Sequence, residues 1–150
     1  DALAVWWEEH AGANWLADRR EIMALLQREV RLQQVVKLVG PDALPDSQRF
    51  VLEVSTLFKN AFLQQNAFDE IDRYSTVEKQ LKMLQLVLTY WRRGSGAIKS
   101  GVTLVQIRRM KVLTDINRMK MNVANDELDQ IDKLQARLER SIDRLESPHA

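Results

Sequence analysis

The chain has 150 residues, a formal net charge of +1 and no cysteine, and 45% of its residues are hydrophobic. This length suits one domain with one core, and the lack of cysteine excludes a disulfide framework and thiol chemistry. No apolar run is long enough to span a bilayer, and Asp1-Ala2-Leu3 lacks the basic start of a signal peptide, so we expect a cytoplasmic protein. Apolar residues recur at steps of three and four, which predicts an all-α fold.

The first half of the chain predicts two long helices. Asn14 can cap the first, which runs to about Val39, where Gly40 suits a left-handed C-terminal cap and Pro41 prevents continuation. Its predicted buried stripe comprises Ile22, Leu25, Leu32, Val36 and Val39. Asp46 can cap the second helix, at about 47–64. Its predicted buried face comprises Phe50, Val54, Leu57 and Ala61, widened by Val51, Phe58 and Phe62.

The second half predicts another long helix and several further ones. Ser75 and Glu78 have capping-box spacing, and the glycines of Gly94-Ser95-Gly96 are expected to loosen or end the helix that Ser75 opens. The buried stripe of that helix is expected to comprise Val77, Leu81, Leu84, Leu88 and Trp91. Later caps are expected at Thr103, Thr114 and Asn125, with Asp126 and Glu127 in the first turn of the last helix. The core face of that helix is expected to comprise Leu128, Ile131, Leu134, Leu138, Ile142 and Leu145.

These elements predict a single domain over residues 1–150, built as a bundle of five or six helices, three of them long. The tryptophans of the chain are expected to fill gaps between helices. Trp6 and Trp7 could instead pack on an upstream domain, which would leave an apolar patch on an isolated fragment.

The sequence holds no recognisable catalytic constellation. None of the five glycines is followed by lysine, so the phosphate-binding loop G-x-x-x-x-G-K-[ST] is missing. His10 and His149 lie near opposite ends of the chain and have no ligand-spaced partner. We therefore predict no catalytic residue, no metal site and no cofactor in this chain by itself.

Positive charge is concentrated in residues 92–120, which hold eight basic residues and a single acid, Asp115. We favour the interpretation that this segment is solvated or lies against acidic surfaces of its own neighbours. The alternatives are an acidic partner or nucleic acid. A nucleic-acid role is disfavoured because the nearby aromatic residues are Tyr90 and Trp91, and Trp91 belongs to the predicted core stripe.

Several blocks of the sequence are similar to one known family. The blocks are Leu38 to Asp46, Phe62 to Phe68 and Ser75 to Gln80, supported by Trp6-Trp7 with Trp15, Met83 to Tyr90, Gly101 to Leu104 and Ile116 to Lys120. Together they resemble the C-terminal helical domain of the catalytic subunit (the A subunit) of archaeal/vacuolar-type rotary ATPases. The resemblance covers nearly all of the chain and implies a fragment whose upstream barrel and nucleotide-binding domains lie elsewhere.

The resemblance implies specific roles in the intact catalytic subunit, which holds ATP or ADP with Mg²⁺. Phe68 would stack on the adenine and Gln64 would form a hydrogen bond with its edge. Without the resemblance, the sequence pattern predicts that Phe68 is a core residue and that Gln64 caps the end of a helix. The domain would be a lever between the nucleotide and a rotating central stalk. Its partners would be the B subunit of the ATPase ring and the central-stalk subunit, with the membrane reached only through the complex.

We expect the stalk contact at Arg92, Arg93 and Lys99, around the turn predicted at Gly94 to Gly96, with the turn at 122–125 as the second choice. The alternative to this whole assignment is a free-standing helical interaction module with no nucleotide role.

Overall fold

The structure is a computed structural model, and it describes residues 14–62, 77–124 and 126–147. Within these ranges it contains six α-helices and no strand. They are α1 (Asn14–Val39), α2 (Asp46–Phe62), α3 (Val77–Lys99), α4 (Leu104–Arg108), α5 (Val112–Asn122) and α6 (Asp129–Glu146), with a 3-10 turn at Pro41–Ala43. The predicted all-α class and number of helices are confirmed, but four helices are long where three were expected, because α6 with 18 residues matches the 17 of α2.

Helix α3 is the central element of the described bundle. It packs against α2 on one side and α6 on the other, while α1 packs on α2 and α5 packs on α6. A single apolar stripe was expected on α3, but its buried apolar residues spread over more than half of the helix circumference: Met83, Leu84, Leu86, Val87, Leu88, Tyr90 and Ala97. This follows from its position, because a helix covered on two sides must be apolar on both.

The predicted faces of the other long helices are largely correct. In α2, Phe50, Val54, Leu57 and Ala61 are buried, and in α6 Ile131, Leu138 and Ile142 are buried. In α1, Ile22 and Leu25 are buried and Leu32 packs against the core, but Val39 is 61% exposed. The core contact of α1 therefore ends before its last turn.

Gly40 ends α1 as predicted. Its φ is 84°, and its N–H donates to the carbonyl oxygen of Val36 at 2.8 Å, which satisfies one of the last carbonyls of the helix. The prediction that the Asp46 side chain caps α2 is wrong, because Asp46 is the first residue of the helix and its carboxylate binds a different segment. The carboxylate Oδ2 of Asp46 accepts a hydrogen bond from the backbone N–H of Leu104, at the start of α4, with an N–O distance of 3.0 Å.

The predicted break at Gly94-Ser95-Gly96 is also wrong, because α3 continues through these residues to Lys99. Gly94 is buried, and a Cβ atom built on it would lie 2.2 Å from Cζ of Phe50. The glycine is needed there because an aromatic ring of α2 lies directly on the backbone of α3. A close helix contact, and not a chain reversal, explains this glycine.

The true end of α3 is a C-terminal motif centred on Gly101, whose φ is 106°. The N–H of Val102 donates to the carbonyl of Ala97 and the N–H of Gly101 donates to that of Ile98, both at 3.0 Å. Thr103 then begins α4 with a complete capping box shared with Gln106, as its sequence position predicts.

The last two helices begin away from their predicted caps. Helix α5 begins at Val112, before Thr114, and α6 begins at Asp129, so Asp126 and Glu127 precede it. The acids in the first turn of α6 are Asp129 and Asp132, which still place negative charge at the positive end of the helix dipole. The predicted caps Ser75 and Asn125 lie outside the described residues.

Candidate functional site

The turn between α1 and α2 and the turn between α3 and α4 lie at the same end of the bundle. The hydrogen bond from Leu104 N–H to the Asp46 carboxylate joins them directly. We call this end, comprising residues 38–46 and 99–104, the tip. Lys99 is exposed here, and Leu38 is 85% exposed.

Helix α2 leads from the tip to the opposite end of the bundle. Its 17 residues span about 25 Å at a rise of 1.5 Å per residue. At its far end the rings of Phe58 and Phe62 stack with centroids 4.9 Å apart. The predicted adenine-binding residues Gln64 and Phe68 follow in the sequence and lie outside the described residues.

Arg92 connects α3 to α1. Its Nη2 donates to Asp18 Oδ1 at 2.8 Å, and its Nε donates to Glu21 Oε1 at 2.9 Å. Asp18 also accepts from the amide of Gln85 at 2.6 Å, so this buried carboxylate has two hydrogen-bond donors. The bond to Glu21, followed by the bond to Asp18, raises the pKa of Arg92 above its ordinary value against the opposing effect of desolvation.

Arg93 connects α3 to α6. Its Nη2 donates to Asp143 at 2.5 Å and to Glu146 at 3.0 Å, and the bond to Asp143 is the main cause of the raised pKa of Arg93. Lys82 makes the corresponding contact near the start of both helices, with a distance of 2.7 Å from Nζ to Asp132 Oδ1. Because both contacts join residues 50 positions apart, α3 and α6 run parallel and in register.

The sequence of this bundle matches a known family. Residues 4–108 match the family described as the C-terminal domain of V and A type ATP synthase. The chain belongs to this family. The match covers helices α1 to α4 and both turns of the tip.

The similarity to individual relatives extends over almost the whole chain. The chain is 40% identical over 143 residues to the V-type ATP synthase alpha chain of Halothermothrix orenii, covering 95% of this chain and 24% of that protein. It is 39% identical over 145 residues to the A subunit of the A-type ATP synthase of Methanopyrus kandleri, covering 97% and 24%. The corresponding protein of Sulfolobus acidocaldarius is 39% identical over 147 residues, covering 97% and 25%. The chain spans about a quarter of the length of the curated relatives it matches.

The basic side chains of residues 92–120 that the structure describes fall into two groups. Arg92, Arg93 and Arg108 form ion pairs with acids of other helices, Arg108 with Glu53. Lys99, Arg109, Lys111 and Arg118 form no ion pair with any residue that the structure describes, and they are exposed. The favoured interpretation, contact with acidic neighbours in the same chain, is therefore correct for the first group.

Sequence reasoning missed the outer face of α1. Three large apolar residues on it, Leu16, Met23 and Val30, are exposed by 50%, 48% and 59%. Their spacing of seven residues was available as a signal, but the parallel stripe that forms the core contact has the same helical spacing and masks it.

The surroundings of Trp91 support the prediction that tryptophans fill gaps between helices. The ring of Trp91 stacks on Phe50 at 5.8 Å between centroids, and the guanidinium of Arg28 lies 5.6 Å from its ring centre. Trp6, Trp7 and both histidines lie outside the described residues. Within the described ranges no group of three or more acidic, histidine or cysteine side chains is placed to hold a metal ion, and no helix is long and apolar enough to cross a membrane.

Proposed function

We propose that this chain is the lever of the catalytic subunit of a V/A-type rotary ATP synthase. The family match over residues 4–108 carries this proposal. The bundle supports it physically, because α2 and α3 are long helices that share a packed core between the tip and the opposite end. In the whole catalytic subunit, displacement at one end would reach the other through this core with little deformation.

At the nucleotide end, Phe68 stacks on the adenine and Gln64 bonds its edge in this proposal, while ATP or ADP with Mg²⁺ is held by the nucleotide-binding domain upstream. Stacking contributes about 1 kcal/mol beyond burial, which orients a nucleotide without binding it tightly. By itself the chain has no catalytic residue and no cofactor in this proposal.

At the other end, the proposal assigns the stalk contact to the tip. Lys99 presents an exposed cation there, and the predicted contact residues Arg92 and Arg93 lie one and a half to two turns behind it on α3. Their ion pairs would carry force from the tip into α1 and α6. In this proposal the partners are the B subunit of the ring and the central-stalk subunit. The chain is then cytoplasmic and reaches the membrane only through the complex.

The test uses the assembled enzyme with one variant at each end. Phe68→Ala should weaken nucleotide binding, by up to about tenfold for the loss of one stacked ring. Lys99→Glu should reduce the coupling of ATP hydrolysis to ion transport without changing nucleotide affinity. Both quantities are measured on each variant, by nucleotide titration and by ion transport per ATP.

Lys133→Glu is the matched control, since it makes the same charge reversal at a lysine that is 75% exposed and lies near the start of α6, close to the level of Lys82. Equal coupling in Lys99→Glu and Lys133→Glu would contradict the assignment of the tip. Unchanged nucleotide affinity in Phe68→Ala would contradict the adenine role.

A further inference from the structure

The outer face of α1 carries a regular line of exposed residues. Leu16, Met23, Val30 and Leu38 are separated by seven, seven and eight positions, so they lie on one side of a helix with 3.6 residues per turn. Exposed polar residues occupy the intervening contact positions. We call the full line the outer seam, and its members are Leu16, Arg20, Met23, Gln27, Val30, Gln34 and Leu38.

The exposed charged residues of α1 on and beside the outer seam are positively charged. The exposed residues beside it include Arg19, Arg31 and Lys37, in addition to Arg20 within it. The acids of α1 are used inside the molecule, because Asp18 and Glu21 bind Arg92 and the buried Glu29 binds Lys59. Folding therefore sorts the charges of α1, with carboxylates turned toward the bundle and cations left on the outer face.

The spacing and the charge together define what fits this surface. A seven-residue apolar repeat is the pattern by which two helices pack along each other. The seam is too narrow and too polar for a lipid surface, because Arg20, Gln27 and Gln34 interrupt it, whereas interfacial helices present a broad apolar face. A second copy of the chain would bring arginines against arginines, which is unfavourable.

We propose that the outer seam of α1 docks an acidic amphipathic helix of a partner protein. The partner helix has aliphatic residues at seven-residue intervals, which pack between Leu16, Met23 and Val30. Aspartate or glutamate residues beside them face Arg20 and Arg31. The pairing is sensitive to salt because these cations are exposed. The proposal stands on the surface of this chain and does not depend on the proposed role in the ATP synthase.

Two synthetic helical peptides of about 25 residues test the proposal. Both carry leucine at seven-residue intervals, one with flanking glutamates and the other with lysines at the same positions. Fluorescence anisotropy of the labelled peptides measures binding to the 150-residue chain. The glutamate peptide should bind at least about tenfold more tightly than the lysine peptide, and its affinity should fall as salt rises.

Variants identify the surface. Met23→Asp should reduce the affinity for the glutamate peptide by at least about tenfold, whereas Val105→Asp should leave it unchanged. Val105 is a matched control because it is an aliphatic residue on α4 with 50% exposure. The double reversal of Arg20 and Arg31 to Glu should exchange the preference, so that the lysine peptide binds better. Helix content measured by circular dichroism shows that each variant is folded.

Several results would overturn the proposal. Equal binding of the two peptides, or binding unaffected by Met23→Asp, excludes an acidic helix on the seam. Binding of phosphatidylglycerol vesicles that Met23→Asp abolishes assigns the seam to lipid, and self-association that it abolishes assigns it to a second copy. A chain lacking residues 1–13 that binds the glutamate peptide at least about tenfold more tightly identifies that segment as the occupant.

Discussion

At the scale of single residues, Gly94 and Gly96 have opposite surroundings although they are two positions apart in one helix. A Cβ on Gly94 would lie 2.2 Å from the Phe50 ring, whereas a Cβ on Gly96 would meet no atom of another described segment within 4 Å. Phe50 is fully buried between Tyr90 and Trp91, with ring centroids at 5.0 Å and 5.8 Å. The ring therefore has little room to move away from an added methyl group.

This contrast gives a paired prediction. Gly94→Ala should lower the free energy of unfolding by about 1–3 kcal/mol because of overpacking. Gly96→Ala should raise it by about 1 kcal/mol because alanine is the better helix former at an unobstructed position. Urea unfolding of both variants measures the difference.

Phe50→Leu provides the control for the steric cause. In that background the penalty of Gly94→Ala should shrink, since a smaller side chain vacates the space that the methyl group needs. An undiminished penalty would show that the ring is not the obstacle.

At the scale of elements, the central helix is tied to its neighbours by two arginine clusters of different character. Asp18, which binds Arg92, has a side chain only 7% exposed, whereas Asp143, which binds Arg93, is 65% exposed. A buried carboxylate that loses its cation is left poorly solvated, while an exposed one is rehydrated. The ion pair between Arg92 and Asp18 should therefore contribute more to the free energy of unfolding than the ion pair between Arg93 and Asp143.

We predict that Arg92→Ala lowers the free energy of unfolding by about 2 kcal/mol and that Arg93→Ala lowers it by less than about 1 kcal/mol. Chemical denaturation at low and high salt measures both. A double variant with Asp18→Asn should recover part of the loss for Arg92, because the unpaired charge is gone. Equal costs for the two arginines would refute the distinction.

Sequence patterns predicted these elements well where contacts are local. The end of α1 at Gly40 and the capping box of Thr103 depend on neighbouring residues, and both are confirmed. The function of Gly94 and the partner of Asp46 depend on residues 44 and 58 positions away, which no local pattern specifies. The pairing of Arg92 with α1 has the same cause.

The candidate site was predictable to a smaller extent. The excess of positive charge in residues 92–120 was visible, but only the packing of α3 shows which of its cations are already paired. The adenine-binding roles of Gln64 and Phe68 stay predictions that rest on family resemblance.

At the scale of the whole molecule, stability at alkaline pH depends on Tyr90, which lies in the core between α2 and α3. Burial, with a further contribution from the charge of Glu53, raises the pKa of its hydroxyl. Above the ordinary tyrosine pKa of about 10, the unfolded chain releases this proton and the folded chain retains it. The unfolded state is then favoured, so stability falls as pH rises through this range.

Tyr90→Phe should therefore flatten the decline in unfolding free energy between about pH 10 and 11.5, by up to about 1.4 kcal/mol per pH unit. Urea unfolding at several pH values measures the slopes, and the difference at pH 8 gives the pH-independent effect of losing the hydroxyl. Parallel curves for the two proteins would exclude Tyr90 as the cause.

The bond between Asp46 and Leu104 has a further consequence for the tip. Helix α4 has five residues, too few to persist by itself in water, and its first amide depends on a carboxylate from the start of α2. If the two turns separate, α4 loses this anchor and its amide protons become open to exchange with solvent deuterium. Faster deuterium exchange in the short helix would therefore show that the two turns of the tip have separated.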